Sequence, residues 1–158
     1  MATVRKITAS KKYIAPRKKV AAYARISMET EQLLNSLSAQ VSRYSKLIQE
    51  NPEWEYAGVY VDQGISGTST VHRNEFNRLM ADCDAGKIDI ILVKSISRFA
   101  RDTVDCLKAI RHLKDIGVEV RFEREGIATF SSDGELLITL LASFAQADEI
   151  FLNALATP

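Results

Sequence analysis

The chain reads as an α/β fold: a mainly parallel central sheet flanked by helices, ending in a long C-terminal helix. Short runs rich in Val, Ile and aromatic residues alternate with longer segments whose apolar residues recur every three or four positions. Gly, Pro or an Asx/Ser/Thr residue punctuates most of the junctions. Strands that alternate with helices at this spacing are joined by crossover helices, which makes them parallel and covers the sheet.

The first strand is expected at residues 20–26, where Val20, Ala21, Ala22 and Tyr23 form an apolar run between a basic segment and a polar loop. Leu33, Leu37, Val41, Tyr44 and Ile48 then repeat at helical spacing, and Asn51-Pro52 ends that helix. A second strand follows at 56–62. Phe76, Leu79, Met80 and Cys83 mark a second helix closed by Gly86, and residues 88–94 a third strand. The third helix carries Val104, Leu107, Ile110 and Leu113, with Asp102 or Thr103 as N-cap and Gly117 past its end. After a fourth strand at 118–122, the last helix starts near Ser132-Asp133. It carries Leu136, Leu137, Leu140, Leu141, Phe144, Phe151, Leu152 and Leu155.

At 158 residues, 46% apolar and 26% charged, the chain fits one globular domain that needs neither disulfide nor metal to hold its core. No apolar run approaches a membrane span, so no membrane partner is expected. The N-terminus lacks the apolar core of a signal peptide, and a cytoplasmic location is expected. Cys83 and Cys106 form no CxxC pair and are expected as reduced core or boundary residues. Residues 1–19 hold seven of the 21 basic side chains and none of the 20 acidic ones, so the rest of the chain is net acidic. Residues 1–18 therefore read as a basic arm suited to a polyanion, or as a solubilising tail, and residues 19–158 as the folded domain.

Several chemistries lack their residues. His72 and His112 are the only histidines and stand near no clustered ligands, so zinc is disfavoured, although a Ser-His-Asp triad stays open. There is no GxxxxGK[ST] loop, and Gly64-Ile65-Ser66-Gly67 lacks the rest of a dinucleotide fingerprint. What stands out is a serine with arginines. Arg25 and Ser27 alternate onto one side of the first strand at its C-terminal end, where open α/β sheets bind ligands. Arg98 and Arg101, three apart, follow the third strand at the same edge and would share a face of a helix start. Arg73 follows the Gly- and Ser-rich loop that leaves the second strand. Four guanidiniums gathered there would repel one another without an anion, and arginine suits bidentate contact with phosphate oxygens.

The motifs Tyr23-Ala24-Arg25-Ile26-Ser27, Ser36-Leu37-Ser38-Ala39-Gln40, Asp62-Gln63-Gly64-Ile65-Ser66-Gly67, Arg73 and Lys94-Ser95-Ile96-Ser97-Arg98-Phe99-Ala100-Arg101-Asp102 occur in that order. Together they resemble the catalytic domain of the serine recombinases, the resolvase/invertase family, and in particular its large serine integrase and transposon branch. The resemblance extends from about Lys19 to about Glu149 and includes Gly134-Glu135 and Phe144-Ala145-Gln146-Ala147. It implies a resolvase-like fold and site-specific DNA recombination in which a serine hydroxyl attacks a DNA phosphodiester. The products are a phosphoserine link and a free 3′-hydroxyl, and strands rejoin with no cofactor and no metal. By motif position, Ser27 would be the nucleophile, with Arg25, Arg73, Arg98 and Arg101 binding the scissile phosphate. Gln40, Asp62, Ser66, Lys94 and Ser97 would support the site. The resemblance also implies DNA as partner, a homodimer through the last helix, a tetramer in the synaptic complex of the parent protein, and a bacterial or mobile-element origin beside the nucleoid.

Three departures qualify it. Smaller resolvases place an aspartate where Ser97 stands; the last helix reads acidic and apolar over 148–155 rather than basic; and no DNA-binding domain follows. The chain is accordingly expected to be a catalytic domain alone. The rival readings are a non-catalytic flavodoxin-like interaction module or inactive recombinase fragment, and a phosphate- or nucleotide-binding enzyme using the same arginines.

Overall fold

The computed structural model describes residues 15–26, 31–63, 73–100 and 102–156. Strand β1 (Lys18–Ile26) leads through helix α1 (Glu31–Glu50) to β2 (Trp54–Gln63), and α2 (Asn74–Asp84) leads to β3 (Ile90–Val93). A short helix α3 (Ile96–Phe99) and α4 (Thr103–Asp115) precede β4 (Glu119–Phe122), β5 (Ile127–Ala128) and the long α5 (Ser132–Ala156). The sheet order is β2-β1-β3-β4-β5, parallel except for the β4–β5 pair.

Alternation along β1 gives the sheet two different faces. Val20 and Ala22 pack with Tyr44 and Ile48 of α1 and with Ile90 and Leu92 of β3. Ala21 and Tyr23 face the other way, into the larger core formed with α2, α4, β4 and the start of α5. A row of edge-to-face rings, Tyr23–Phe76–Phe99–Phe122, crosses this second face with centroids 5.4 to 5.7 Å apart. Such pairs contribute about 0.5–1.5 kcal/mol each beyond their burial. Here they tie β1, α2, α3 and β4 into one block.

The expected strands and helices are all present, with boundaries displaced by about two residues. Asp102 is the N-cap of α4, its carboxylate accepting from the Asp105 N–H at 2.8 Å. Gly117 (φ 79°) ends the same helix in the left-handed region open to glycine. Two elements are additions. β5 has only two residues, too few for an alternation to show, and is fixed by Thr129, whose N–H and Oγ1 both engage the backbone of Val120 at 2.9 Å. α3 is a single turn between two caps. It ends at Phe99, and Ala100 is extended (φ −133°, ψ 158°); Arg101, expected to share a helix face with Arg98, lies outside the described residues.

Candidate active site

The chain leaves β1 for α1 on one face of the sheet and leaves β2 for α2 on the other, so the C-terminal ends of β1 and β3 form the edge where the crossovers diverge. In α/β sheets that divergence opens a crevice. A pocket of about 120 Å³ lies there, lined by Tyr23 to Ile26 of β1, Ser36 and Gln40 of α1, and Lys94 and Arg98 after β3. Four of the expected site residues, Arg25, Gln40, Lys94 and Arg98, are thus brought together from three parts of the sequence.

Arg25 and Arg98 are held by main-chain oxygens. Arg25 Nη2 donates to the Ser97 carbonyl at 2.8 Å, and Arg98 Nη1 reaches the Arg25 carbonyl at 3.5 Å. Neither forms an ion pair among the described residues. Carbonyl acceptors orient a guanidinium without neutralising it, so both keep their charge for an anion. The Ser97 hydroxyl is 3.0 Å from that of Ser95, and the Ile96 N–H donates to Glu125 at 3.2 Å, which holds the turn carrying Arg98.

Asp62 lies beneath this layer, 3% exposed, near the C-terminal end of β2. It accepts from the Tyr23 hydroxyl at 2.7 Å and from the N–H groups of Glu75 and Phe76 at 2.9 and 3.0 Å. α2 has no capping side chain at its own N-cap, Arg73, so Asp62 supplies the cap from the neighbouring strand. Burial, together with this carboxylate, raises the Tyr23 phenol above its usual range, so the hydroxyl keeps its proton and stays a donor.

Arg73 is turned inward. It pairs with Asp105 of α4, donates through Nη2 to the Phe99 carbonyl at 2.6 Å, and stacks over the Phe76 ring at 3.8 Å from its centroid. Its side chain is 9% exposed, and its Nε is buried without a partner among the described residues. The guanidinium therefore anchors α2 to the α3–α4 junction. Ser27, Ser66 and Arg101 lie outside the described residues.

Sequence reasoning took Tyr23 only as core and gave Asp105 no role. A buried tyrosine hydroxyl needs a polar partner, a rule that marks Tyr23 in the sequence without naming Asp62. Nothing local marked Asp105 as the partner of Arg73. Among the described residues no cluster of His, Cys, Asp and Glu is arranged to hold a metal ion, and no helix is long and apolar enough to cross a membrane.

The profile of the family described as Resolvase, N terminal domain, matches residues 20–153. The chain belongs to the resolvase family. This resolvase domain is 30% identical over 131 residues to a resolvase/recombinase of Pseudomonas putida, covering 81% of this chain and 64% of that one. It is 37% identical over 90 residues to the transposon Tn3 resolvase of Escherichia coli, covering 57% and 46%. The domain thus spans from about half to just under two thirds of these relatives' lengths. Among solved structures, a resolvase family site-specific recombinase from Streptococcus pneumoniae superposes with a TM-score of 0.71 at 32% identity, over 89% of this chain and 93% of that one. The N-terminal catalytic domain of TP901-1 integrase shares the fold, with a TM-score of 0.58 at 23% identity over 85% and 98%.

Proposed function

We infer that this resolvase domain is the catalytic part of a site-specific serine recombinase that cleaves and rejoins DNA. The observation that carries the reading is the placement of Arg25 and Arg98, side by side in a crevice at the sheet edge and free of carboxylate partners among the described residues. Ser27 follows β1 by one residue at that edge in sequence. Its hydroxyl is assigned as the nucleophile: the Oγ–P bond forms, the bond from phosphorus to the 3′-oxygen breaks, and the hydroxyl proton ends on that oxygen. Rejoining reverses the step, with a 3′-hydroxyl displacing the serine.

The five-coordinate transition state carries more charge on its oxygens than the diester does, and Arg25, Arg98 and Arg101 are assigned to neutralise it. Arg73 joins them in the proposal as the residue that holds the site's walls together, with Asp62, Gln40, Lys94, Ser66 and Ser97 in support. Partner assembly is part of the same reading. Leu136, Leu140 and Phe144, at 59%, 47% and 60% exposure, form an uncovered apolar stripe on α5. Burying it against a second copy would give a homodimer, two of which would meet in a synaptic tetramer beside the bacterial nucleoid.

The test is capture of a covalent protein–DNA adduct by the full-length parent protein on a nicked suicide substrate. The adduct should map to Ser27 and vanish in Ser27→Ala with the circular dichroism spectrum unchanged. An adduct mapped to Ser66 or Ser97, or one that persists in the variant, would overturn the assignment.

A further inference from the structure

Several surface cations of this domain are matched by carboxylates: Lys46 with Glu50, Arg78 with Glu75, Lys87 with Asp82, Lys114 with Glu135 and Arg121 with Glu119. Beside the crevice the pattern differs. Past the end of β3 and β4 the two strands go on pairing, with the Glu123 N–H donating to the Val93 carbonyl at 2.9 Å and the Arg124 N–H to the Lys94 carbonyl at 2.8 Å. Lys94 and Arg124 are both exposed, and neither has an ion-pair partner among the described residues. Both line a second depression of about 410 Å³, with Gln40, Arg43 and Glu123, and this depression adjoins the first pocket at Gln40 and Lys94.

Two acids border this path, and both are engaged. Glu123 accepts from Arg43 at 2.7 Å, and Glu125 accepts from the Ile96 N–H at 3.2 Å. Glu123 is neutralised by Arg43 while Glu125 keeps its charge, so the four cations Arg25, Arg98, Lys94 and Arg124 face one unpaired carboxylate, and the surplus across the ends of β1, β3 and β4 is positive. Neighbouring strands lie about 4.8 Å apart, so the path is about 10 Å long. A path of that length fits a short run of successive phosphates on one DNA strand.

We propose that Lys94 and Arg124 form a phosphate-binding track that seats the DNA backbone flanking the bond to be cut. The proposal rests on the reading of the pocket as a DNA-cleaving site and adds where the polynucleotide runs away from it. The track contacts no base edge, so it supplies affinity and register without sequence preference.

The probe is a short duplex of random sequence, titrated with the intact domain over a range of salt concentrations. Loss of one phosphate contact lowers the slope of log K against log salt by about 0.9 and weakens binding uniformly across sequences. Arg124→Ala should show that loss, and Arg124→Lys should restore the slope. Lys87→Ala, at the opposite edge of the sheet, should leave the slope unchanged. An unchanged slope in Arg124→Ala, or no measurable duplex binding by the intact domain at low salt, would overturn the track. Cleavage by the parent protein separates this outcome from failure of the functional reading: an adduct at Ser27 with an unchanged slope sinks the track alone, and no adduct on any substrate sinks the cleaving site itself.

Discussion

Arg73 shows most clearly how a residue type can be recognised in sequence and its work still be decided by its neighbours. The sequence places an arginine after the loop expected to leave β2, and by motif position it is expected to bind the scissile phosphate. In the fold its guanidinium is occupied by Asp105, the Phe99 carbonyl and the Phe76 ring. Replacing it removes a hydrogen bond from a charged group and a cation–π contact, together about 2 kcal/mol after allowing for the partial exposure of Asp105. Arg73→Ala should accordingly lower the urea midpoint as well as DNA cleavage. A variant with unchanged stability and lost cleavage would mean that the guanidinium acts on phosphate alone. The contrast with Arg25 and Arg98 is physical: among the described residues those two meet carbonyl oxygens alone, which orient them and leave their charge available.

At the scale of elements, α5 makes two demands. Its first turn sits against the backbone that follows β4, and a Cβ on Gly134 would lie 2.5 Å from the Thr129 carbonyl oxygen, with the Ala128 oxygen also too close. Backbone cannot give way as a flexible side chain does, so Gly134→Ala should destabilise the domain by about 1–3 kcal/mol, read by thermal or urea unfolding. Further along, the stripe of Leu136, Leu140 and Phe144 stays uncovered while Leu137 is buried against the sheet and Leu141 packs at the edge of that core. Both apolar sides of the helix were visible in the sequence; which of them the domain covers by itself was not. Sedimentation at increasing concentration should show a weak, concentration-dependent dimer that Phe144→Asp abolishes. A monomer up to high micromolar concentration, with the variant no different, would remove the stripe from the assembly proposed for the parent.

For the whole molecule, the consequence is a division of labour between binding and rate. On the proposed function, the crevice residues would face a phosphate whose charge grows during the reaction, whereas the proposed path from Lys94 to Arg124 would face phosphates that do not react. Arg98→Ala in the parent protein should therefore lower single-turnover cleavage on the order of 10²–10³ while changing DNA affinity far less. Equal losses in both would reduce Arg98 to a binding contact.

The sequence by itself determined the four longer strands, the four long helices, the mainly parallel sheet they cover, and the placing of Arg25, Lys94 and Arg98 at its C-terminal edge. These are local signals, since the period of the apolar residues states which segments are strands and which are helices. It could not decide contacts between segments far apart in the chain. The tertiary structure alone placed β1 between β2 and β3, and so made the crevice at Arg25. It ended α3 at Phe99 and so separated Arg98 from the helix that follows, turned Arg73 into the core toward Asp105, gave Asp62 to both Tyr23 and the start of α2, and set Arg124 beside Lys94. Each of these joins residues from elements remote in sequence. Strand order and the packing of the whole domain select those partners, and no periodicity within a single segment encodes them.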